Sequence, residues 1–190
     1  VPLRLPLVDQ SSLRELCLQG VSSSIDDSGI VLSKAAATRF VRGFDDGILP
    51  CLKTPRVTKR YINAVSFALP ILKGEVDPTD LLLVEGIRVF FPDLYDHVRR
   101  NSQVFLGTGL DRNYNSEKEL KESAREAINQ CLSPHPDVER EAAISLILRL
   151  FPRTVSIFKD NHSSGSESDE WQKEKRVASS AYFDRYFSYA

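Results

Sequence analysis

The spacing of apolar residues constrains the fold of this chain more than any other feature. After Pro55 they recur at intervals of three and four positions, at Tyr61, Ile62, Val65, Ala68, Leu69 and Leu72. The same spacing occurs at Ala36, Phe40, Val41 and Phe44, and again at Val138, Ala142, Leu146, Ile147 and Leu150. A period near 3.6 residues is that of an amphipathic α-helix. The sequence therefore predicts an all-α, multi-helix, bundle-like domain.

Capping residues and prolines predict where the main helices begin. Ser33 precedes one apolar repeat, Thr54 and Pro55 precede the next, and Asp77 with Pro78 opens a mostly apolar segment that runs to residue 91. Serine, threonine and aspartate are preferred at the N-cap, and proline at the first helical position. Because the helix after Pro78 is so apolar, we expect it to be central. Its Glu85 and Arg88 are three positions apart and can pair.

Other helix boundaries are predicted from similar signals. Ser11 or Ser12 is the expected cap of the first helix, and residues 20–29, rich in serine and aspartate, are expected to form the loop after it. Ser116 and Glu119 have the spacing of a capping box for a helix that ends near Cys131. A further helix is expected from Asp137 toward Phe151.

Charge and composition exclude several classes of protein. The chain has 25 basic and 26 acidic side chains in 190 residues, whereas a general nucleic-acid binder shows a basic excess, so nucleic acid is not the expected partner. The cysteines are three and widely spaced, a pattern that fits neither a zinc signature nor a disulfide framework and favours a reducing cytoplasm. The three histidines are scattered, and no metal site is predicted. No apolar run is long enough for a membrane span.

Composition also divides the chain into segments. Residues 1–9 are predicted to be extended, 10–160 to form the helical domain, and 161–176 to be a polar, acidic linker or mobile loop. Residues 177–190 are predicted to be an aromatic C-terminal helix, with Tyr182, Phe183, Tyr186 and Phe187 at helical spacing. A helix this aromatic needs a covering surface. We expect it to fold back on the same domain rather than to bind a partner.

Three cations lie within the first two turns of the helix that Thr54 is expected to cap. Arg56, Lys59 and Arg60 lie beside the positive end of the helix macrodipole, which costs about 0.3–1 kcal/mol per charge at an exposed site. A bound anion would reverse the sign of that cost, because free backbone N–H groups and guanidinium groups together suit a phosphate. Two interpretations stay open for these residues, a phosphate-facing site and a solvated basic turn.

The order of these segments resembles the region that follows the nucleotide-binding core in the KAP P-loop NTPases, and the resemblance covers most of the chain. The segments that carry it are Leu5-Pro6-Leu7, Thr54-Pro55-Arg56 with Lys59, Arg60 and Asn63, Gly74-Glu75-Val76-Asp77, Asp80-Leu81-Leu82, Glu85 with Arg88-Val89-Phe90-Phe91-Pro92, and Tyr182-Phe183-Asp184-Arg185-Tyr186-Phe187-Ser188-Tyr189.

In that family an α/β core binds ATP and Mg²⁺ through a Walker A lysine and Walker B acids, and a helical lid packs after the core. The resemblance implies that Arg56 is a sensor-like arginine that approaches the γ-phosphate, in cis or in trans. Arg60, one turn later, would be a reserve contact, and Asn63 a weaker third contact with the nucleotide. Closure of the lid would be coupled to hydrolysis.

The core itself is not in this chain. The sequence contains no G-x-x-x-x-G-K-[ST] motif, so we expect the chain alone neither to bind ATP tightly nor to hydrolyse it. It begins at Val1 and contains no methionine, from which we expect an excised fragment or a sequence with residues missing. The resemblance implies that the core lies upstream, in a larger ATPase that we expect to be cytoplasmic. Whether that parent associates with a membrane stays open.

A second function from another class also stays open. The chain could be a stand-alone helical interaction module, which would bind a protein or a second copy of itself through Phe183 and Phe187, or a nucleic acid through the basic helix start. A self-sufficient hydrolase is disfavoured, because no spacing resembles a nucleophile elbow or a metal-binding helix.

Overall fold

The computed structural model describes residues 9–107, 114–158 and 168–189, and within these ranges it contains α-helices and short 3₁₀ helices but no strand. The all-α prediction is confirmed. The helices are α1 (Gln10–Asp27), α2 (Lys34–Gly47), α3 (Pro55–Ile71), α4 (Pro78–Phe90), α5 (Pro92–Arg100), α6 (Ser102–Leu106), α7 (Tyr114–Leu132), α8 (Asp137–Leu150), α9 (Val155–Phe158) and α10 (Ser168–Lys173). The 3₁₀ helices of the described ranges are Leu49–Cys51, Pro152–Thr154 and Phe183–Phe187.

Helix α4 is the centre of the domain, as its apolar sequence predicts. Every residue from Thr79 to Ile87 is buried, and the helix packs against α2, α3, α5 and α8. The Tyr61 hydroxyl of α3 donates a 2.9 Å hydrogen bond to the Leu82 carbonyl. An added Cβ at Gly86 would lie 2.9 Å from Ile48 Cδ1, so glycine allows the chain before α3 to lie directly on α4.

Three of the predicted N-caps are present. Ser33 Oγ accepts from the Ala36 N–H at 3.1 Å, and Thr54 Oγ1 accepts from the Val57 N–H at 3.3 Å. Asp77 Oδ1 accepts from the Asp80 N–H at 2.7 Å. These caps were predictable because each depends on residues three positions apart.

The start of α1 differs from the prediction. Asp9 caps α1, instead of Ser11 or Ser12, and its Oδ1 accepts from the Ser12 N–H at 2.8 Å. Both serine hydroxyls also donate to the Asp9 carboxylate. An ionised carboxylate can accept all three of these hydrogen bonds. The two serines therefore lie in the first turn as donors to the cap and are not caps themselves.

The loop predicted at residues 20–29 is wrong over most of its length. Helix α1 continues to Asp27, and Gly20 lies within it at the crossing with α3. An added Cβ at Gly20 would lie 2.5 Å from Ile62 Cδ1. The glycine serves close packing between two helices rather than a turn.

The buried face predicted for α8 is confirmed from Ala142 onward, but Val138, one turn earlier, is 59% exposed.

The C-terminal segment was predicted to be an aromatic α-helix, but residues 177–189 form turns and the 3₁₀ helix Phe183–Phe187. Three residues per turn place Phe183 and Tyr186 on the same side, and both are buried. Phe187 lies 5.1 Å from the Tyr95 ring, and Phe183 lies 6.1 Å from Phe151, between ring centroids. The segment therefore folds back onto the domain. Its buried aromatic side chains do not offer the partner surface considered for them.

Some predictions fall outside the described residues. The extended segment expected at residues 1–9 lies there except for Asp9, and so do residues 161–167 of the linker expected at 161–176. The described part of that linker includes α10. The Ser116 side chain of the expected capping box lies outside the described ones, and α7 begins at Tyr114, two residues before the predicted cap.

Candidate functional site

At the start of α3, one backbone N–H group beside the cations has no hydrogen-bond acceptor. Pro55 has no N–H, the Val57 N–H is bound by the Thr54 side chain, and the Thr58 N–H is bound by the Thr54 carbonyl at 3.0 Å. Among the described residues, no acceptor faces the Arg56 N–H. The cluster of free N–H groups expected from the sequence is thus reduced to a single donor, and side chains would supply most of the contacts to an anion.

The polar face of α3 is open to solvent, as predicted. Arg56, Lys59, Arg60 and Asn63 are all exposed. On the opposite face Tyr61 is fully buried, and so are the other residues that hold the helix to the core, Thr58, Val65, Ala68 and Leu69. One face therefore fixes α3 in the domain, while its basic start points outward.

Arg60 has a structural partner. Its guanidinium donates a hydrogen bond to the Val89 carbonyl, in the last turn of α4. The last four carbonyls of a helix lack intrahelical donors, and a cation at that end also meets the negative pole of the helix dipole. Arg60 is therefore accounted for by helix packing alone, which weakens its assignment as a reserve phosphate contact.

Arg56 and Lys59 have no such partner. Across residues 9–107, 114–158 and 168–189, neither side chain has a hydrogen bond or an ion pair. The neighbouring Lys53 lies 3.6 Å from the half-buried Glu139 of α8 and forms an ion pair with it. Two cations of the predicted site are thus unneutralised, next to the positive end of a helix.

These residues fit a phosphate but not a metal ion. Guanidinium and ammonium groups bind phosphate oxygens, whereas Mg²⁺ requires oxygen ligands. Within the described part of the chain, no group of three or more His, Cys, Asp or Glu side chains could hold a metal ion. Any Mg²⁺ that accompanies a nucleotide would have to be held by groups outside these ranges.

A second charged cluster, which the sequence did not reveal, lies at the opposite end of α4. Asp80 is 1% exposed. Its carboxylate accepts from Arg39 of α2 at 3.3 Å, from Arg176 Nε at 3.2 Å and from the Val177 N–H at 3.1 Å. Asp77 accepts from the same Arg39 at 2.6 Å. The two aspartates join α2 and the C-terminal segment to the start of α4.

Burial and the charge of Asp80 raise the pKa of Asp77 to about 6, although Arg39 and Arg176 oppose the shift. The Asp77 N–H donates to the Tyr186 hydroxyl at 3.0 Å, and that hydroxyl donates to the Lys175 carbonyl at 2.8 Å. Donors occupy the carboxylates of both aspartates. The cluster therefore holds the C-terminal segment against α4 and is not a metal site.

The predicted pair of Glu85 and Arg88 is present. Arg88 Nε lies 3.0 Å from Glu85 Oε2, and the Tyr189 hydroxyl donates to the same carboxylate. Glu85 is fully buried, which raises its pKa above the ordinary value even though both donors oppose the shift. The Arg88 guanidinium lies 5.7 Å from the centre of the Tyr189 ring. This pair fastens the last residues of the segment to the middle of α4.

Comparison with known proteins gives no relative for this chain: no protein family, no curated protein and no solved structure matches it. None of the helices described above is both long and apolar enough to cross a lipid bilayer.

Proposed function

We propose that this chain is the helical lid of a KAP-type P-loop ATPase, and that Arg56 at the start of α3 approaches the phosphates of the nucleotide held by the core of the parent protein. The chain contributes an arginine and a movable helical body, and it has no catalytic activity alone. ATP and Mg²⁺ would be bound by the core, which supplies the phosphoryl-transfer chemistry.

One observation carries the proposal. Arg56 and Lys59 are exposed at the positive end of α3, and neither forms an ion pair with any described residue, an arrangement that is unfavourable for a helix end facing water alone. A phosphate group placed there would remove the repulsion and accept from the free Arg56 N–H as well as from its guanidinium. Arg60, by contrast, is engaged with Val89.

The residues of the chain have separable roles in this proposal. The buried face of α3, centred on Tyr61 and Val65, holds the basic start rigidly on the domain. Arg56 would neutralise charge that develops on the transferring phosphoryl group, a contact that is stronger in the transition state than in the ground state. Lys59 would add attraction at longer range, and Asn63, exposed on the following turn, would be a weaker third contact.

The test is ATP turnover by the parent protein with Arg56→Ala. We expect kcat to fall on the order of 100-fold, since losing one charged contact to the transferring group costs several kcal/mol. Arg56→Lys keeps the charge but not the guanidinium group with its paired donors. Its kcat should lie between those of wild type and Arg56→Ala. Arg99→Ala, which removes an exposed cation of α5, serves as the control. A kcat that stays within about threefold of wild type for Arg56→Ala would refute the sensor role.

A further inference from the structure

A second basic surface lies on α2, away from the start of α3. An open groove of about 610 Å³ is lined by Lys34, Ala35, Thr38, Arg39 and Arg42 of α2 and by Arg149 of α8. Four of these six side chains are cationic and none is acidic or aromatic. A cluster of this kind is unexpected in a chain whose net charge is −1.

Helix geometry explains why the cations of α2 share a groove. Lys34, Thr38 and Arg42 follow one another at intervals of four positions, so they lie on one face of the helix. At a rise of about 1.5 Å per residue, Lys34 and Arg42 are separated by roughly 12 Å along the helix axis. Helix α8 packs against α2 and supplies Arg149 from the other side. The groove is therefore longer than a single phosphate group.

Acidic side chains neutralise only part of this charge. Arg39 binds Asp77 and Asp80, and Arg149 binds Asp46. Neither Lys34 nor Arg42 has an ion pair among the described residues, and both are exposed. The Arg149 Nε atom is buried without a hydrogen-bond partner in the structure. Two free cations, Lys34 and Arg42, thus line the same groove as the carboxylate-bound Arg39 and Arg149.

We propose that this groove binds an oligophosphate, a chain of two or more phosphate groups such as that of a nucleoside polyphosphate. Lys34 and Arg42 would hold successive phosphates, and Arg149 would add a donor from α8. The lack of an aromatic side chain means that no base stacks in the groove, so the phosphates themselves carry the recognition. A nucleic-acid strand is less well matched, because its backbone would extend beyond a basic stripe of roughly 12 Å.

The groove is distinct from the start of α3. Thr79 in the first turn of α4 donates to the Ala36 carbonyl of α2 at 3.3 Å, whereas Arg60 of α3 binds Val89 in the last turn of α4. The two basic surfaces therefore lie near opposite ends of α4, whose 13 residues span about 20 Å. This second site goes beyond the proposed sensor role and does not depend on it.

The test is calorimetric titration of the whole 190-residue chain with inorganic tripolyphosphate at low ionic strength. The double variant Lys34→Gln and Arg42→Gln should lose affinity by about tenfold or more, because each lost charge contact to an anion is worth about 1 kcal/mol. Its control, Arg99→Gln with Arg125→Gln, removes two exposed cations of α5 and α7 and should bind as the wild type does. Equal affinity of wild type and the groove variant would overturn the proposal.

Further titrations distinguish the groove from the start of α3 and the oligophosphate from other anions. Arg56→Gln with Lys59→Gln reports on the start of α3, and a loss of binding in that variant alone would also overturn the groove. Orthophosphate should bind at least about tenfold more weakly than tripolyphosphate, and equal binding would refute an oligophosphate site. A single-stranded oligonucleotide that bound more tightly through Lys34 and Arg42 would refute the ligand class.

A measurement on the wild type does not depend on how the variants fold. Arginine side-chain Nε–H signals in NMR spectra should shift on addition of tripolyphosphate for Arg42 and Arg149. The Arg99 signal should not move. Shifts confined to Arg56 and Arg60 would contradict binding in the groove.

Discussion

Arg176 binds Asp80 across a separation of 96 positions, with 3.2 Å between Arg176 Nε and Asp80 Oδ2. Asp80 is almost completely buried, and Arg39 reaches it from α2. This carboxylate thus unites the start of α4, helix α2 and the C-terminal segment. Removing this carboxylate should therefore weaken the packing of all three elements.

The variant Asp80→Asn should lower the free energy of unfolding by about 2–4 kcal/mol, because it removes the charged ion-pair partner of the largely buried Arg176. Urea denaturation measures the change. Asp93→Asn is the control, since Asp93 also lies in the first turn of a helix but is exposed, and it should cost at most about 1 kcal/mol. Similar losses in the two variants would show that Arg176 does not depend on Asp80.

The raised pKa of Asp77 predicts a pH dependence of stability. Its pKa is about 6 in the folded chain and ordinarily 3.8, so the folded state binds the proton more tightly. The stabilisation that this proton provides is complete below about pH 4 and is lost as the pH rises through about 6. The groups that face Asp77 are Asp80, Arg39, Arg176 and the Tyr186 hydroxyl.

Asp77→Asn removes that titration and keeps the capping oxygen. We expect the free energy of unfolding of wild type minus that of the variant to fall by about 1–3 kcal/mol between pH 4 and pH 7. Other carboxylates titrate in both proteins and cancel in the difference. A difference that is constant with pH, or that rises, would mean that Asp77 is ionised throughout this range.

Gly20 gives a prediction in which two effects have opposite signs. Helix propensity alone would make Gly20→Ala stabilising by about 1 kcal/mol. The added methyl group would lie 2.5 Å from Ile62 Cδ1, and overpacking of this kind costs about 1–3 kcal/mol. We expect a net loss in thermal denaturation, which Ile62→Val should partly restore in the double variant. A stabilised single variant would show that α1 and α3 separate easily.

The cysteines differ in accessibility. Cys17 and Cys51 are buried, and burial raises the pKa of each thiol to about 12. Cys131 is partly exposed. Titration with a thiol reagent at pH 8 should therefore label Cys131 alone in the native chain and all three cysteines in denaturant, because the thiolate is the reactive form. Rapid labelling of Cys17 would contradict its burial on the inner face of α1.

The elements that sequence reasoning placed correctly depend on neighbours within one helical turn. The caps at Ser33, Thr54 and Asp77 and the pair of Glu85 and Arg88 are of this kind. The basic start of α3 was likewise predicted from a local pattern, and its exposure followed from the positions of the cations on the polar face.

Features that depend on distant contacts were missed. The role of Gly20 is set by Ile62, and the partner of Arg60 is a backbone carbonyl at Val89 that no side-chain pattern indicates. Arg39 and Arg176 reach Asp80 from positions 41 and 96 residues away. The sequence contains a weak indication of the basic groove, because Lys34, Thr38 and Arg42 are evenly spaced. The contribution of Arg149 could not be predicted, because it comes from another helix.

The most direct test of the proposed lid is the identity of the native polypeptide that carries this sequence. Antibodies raised against the purified chain would recover it from source cells, and mass spectrometry would give its mass and its other peptides. A lid predicts a polypeptide at least about twice this length, with a G-x-x-x-x-G-K-[ST] motif upstream of Val1. A native mass near 21.4 kDa, or a longer polypeptide without that motif, would contradict the proposal.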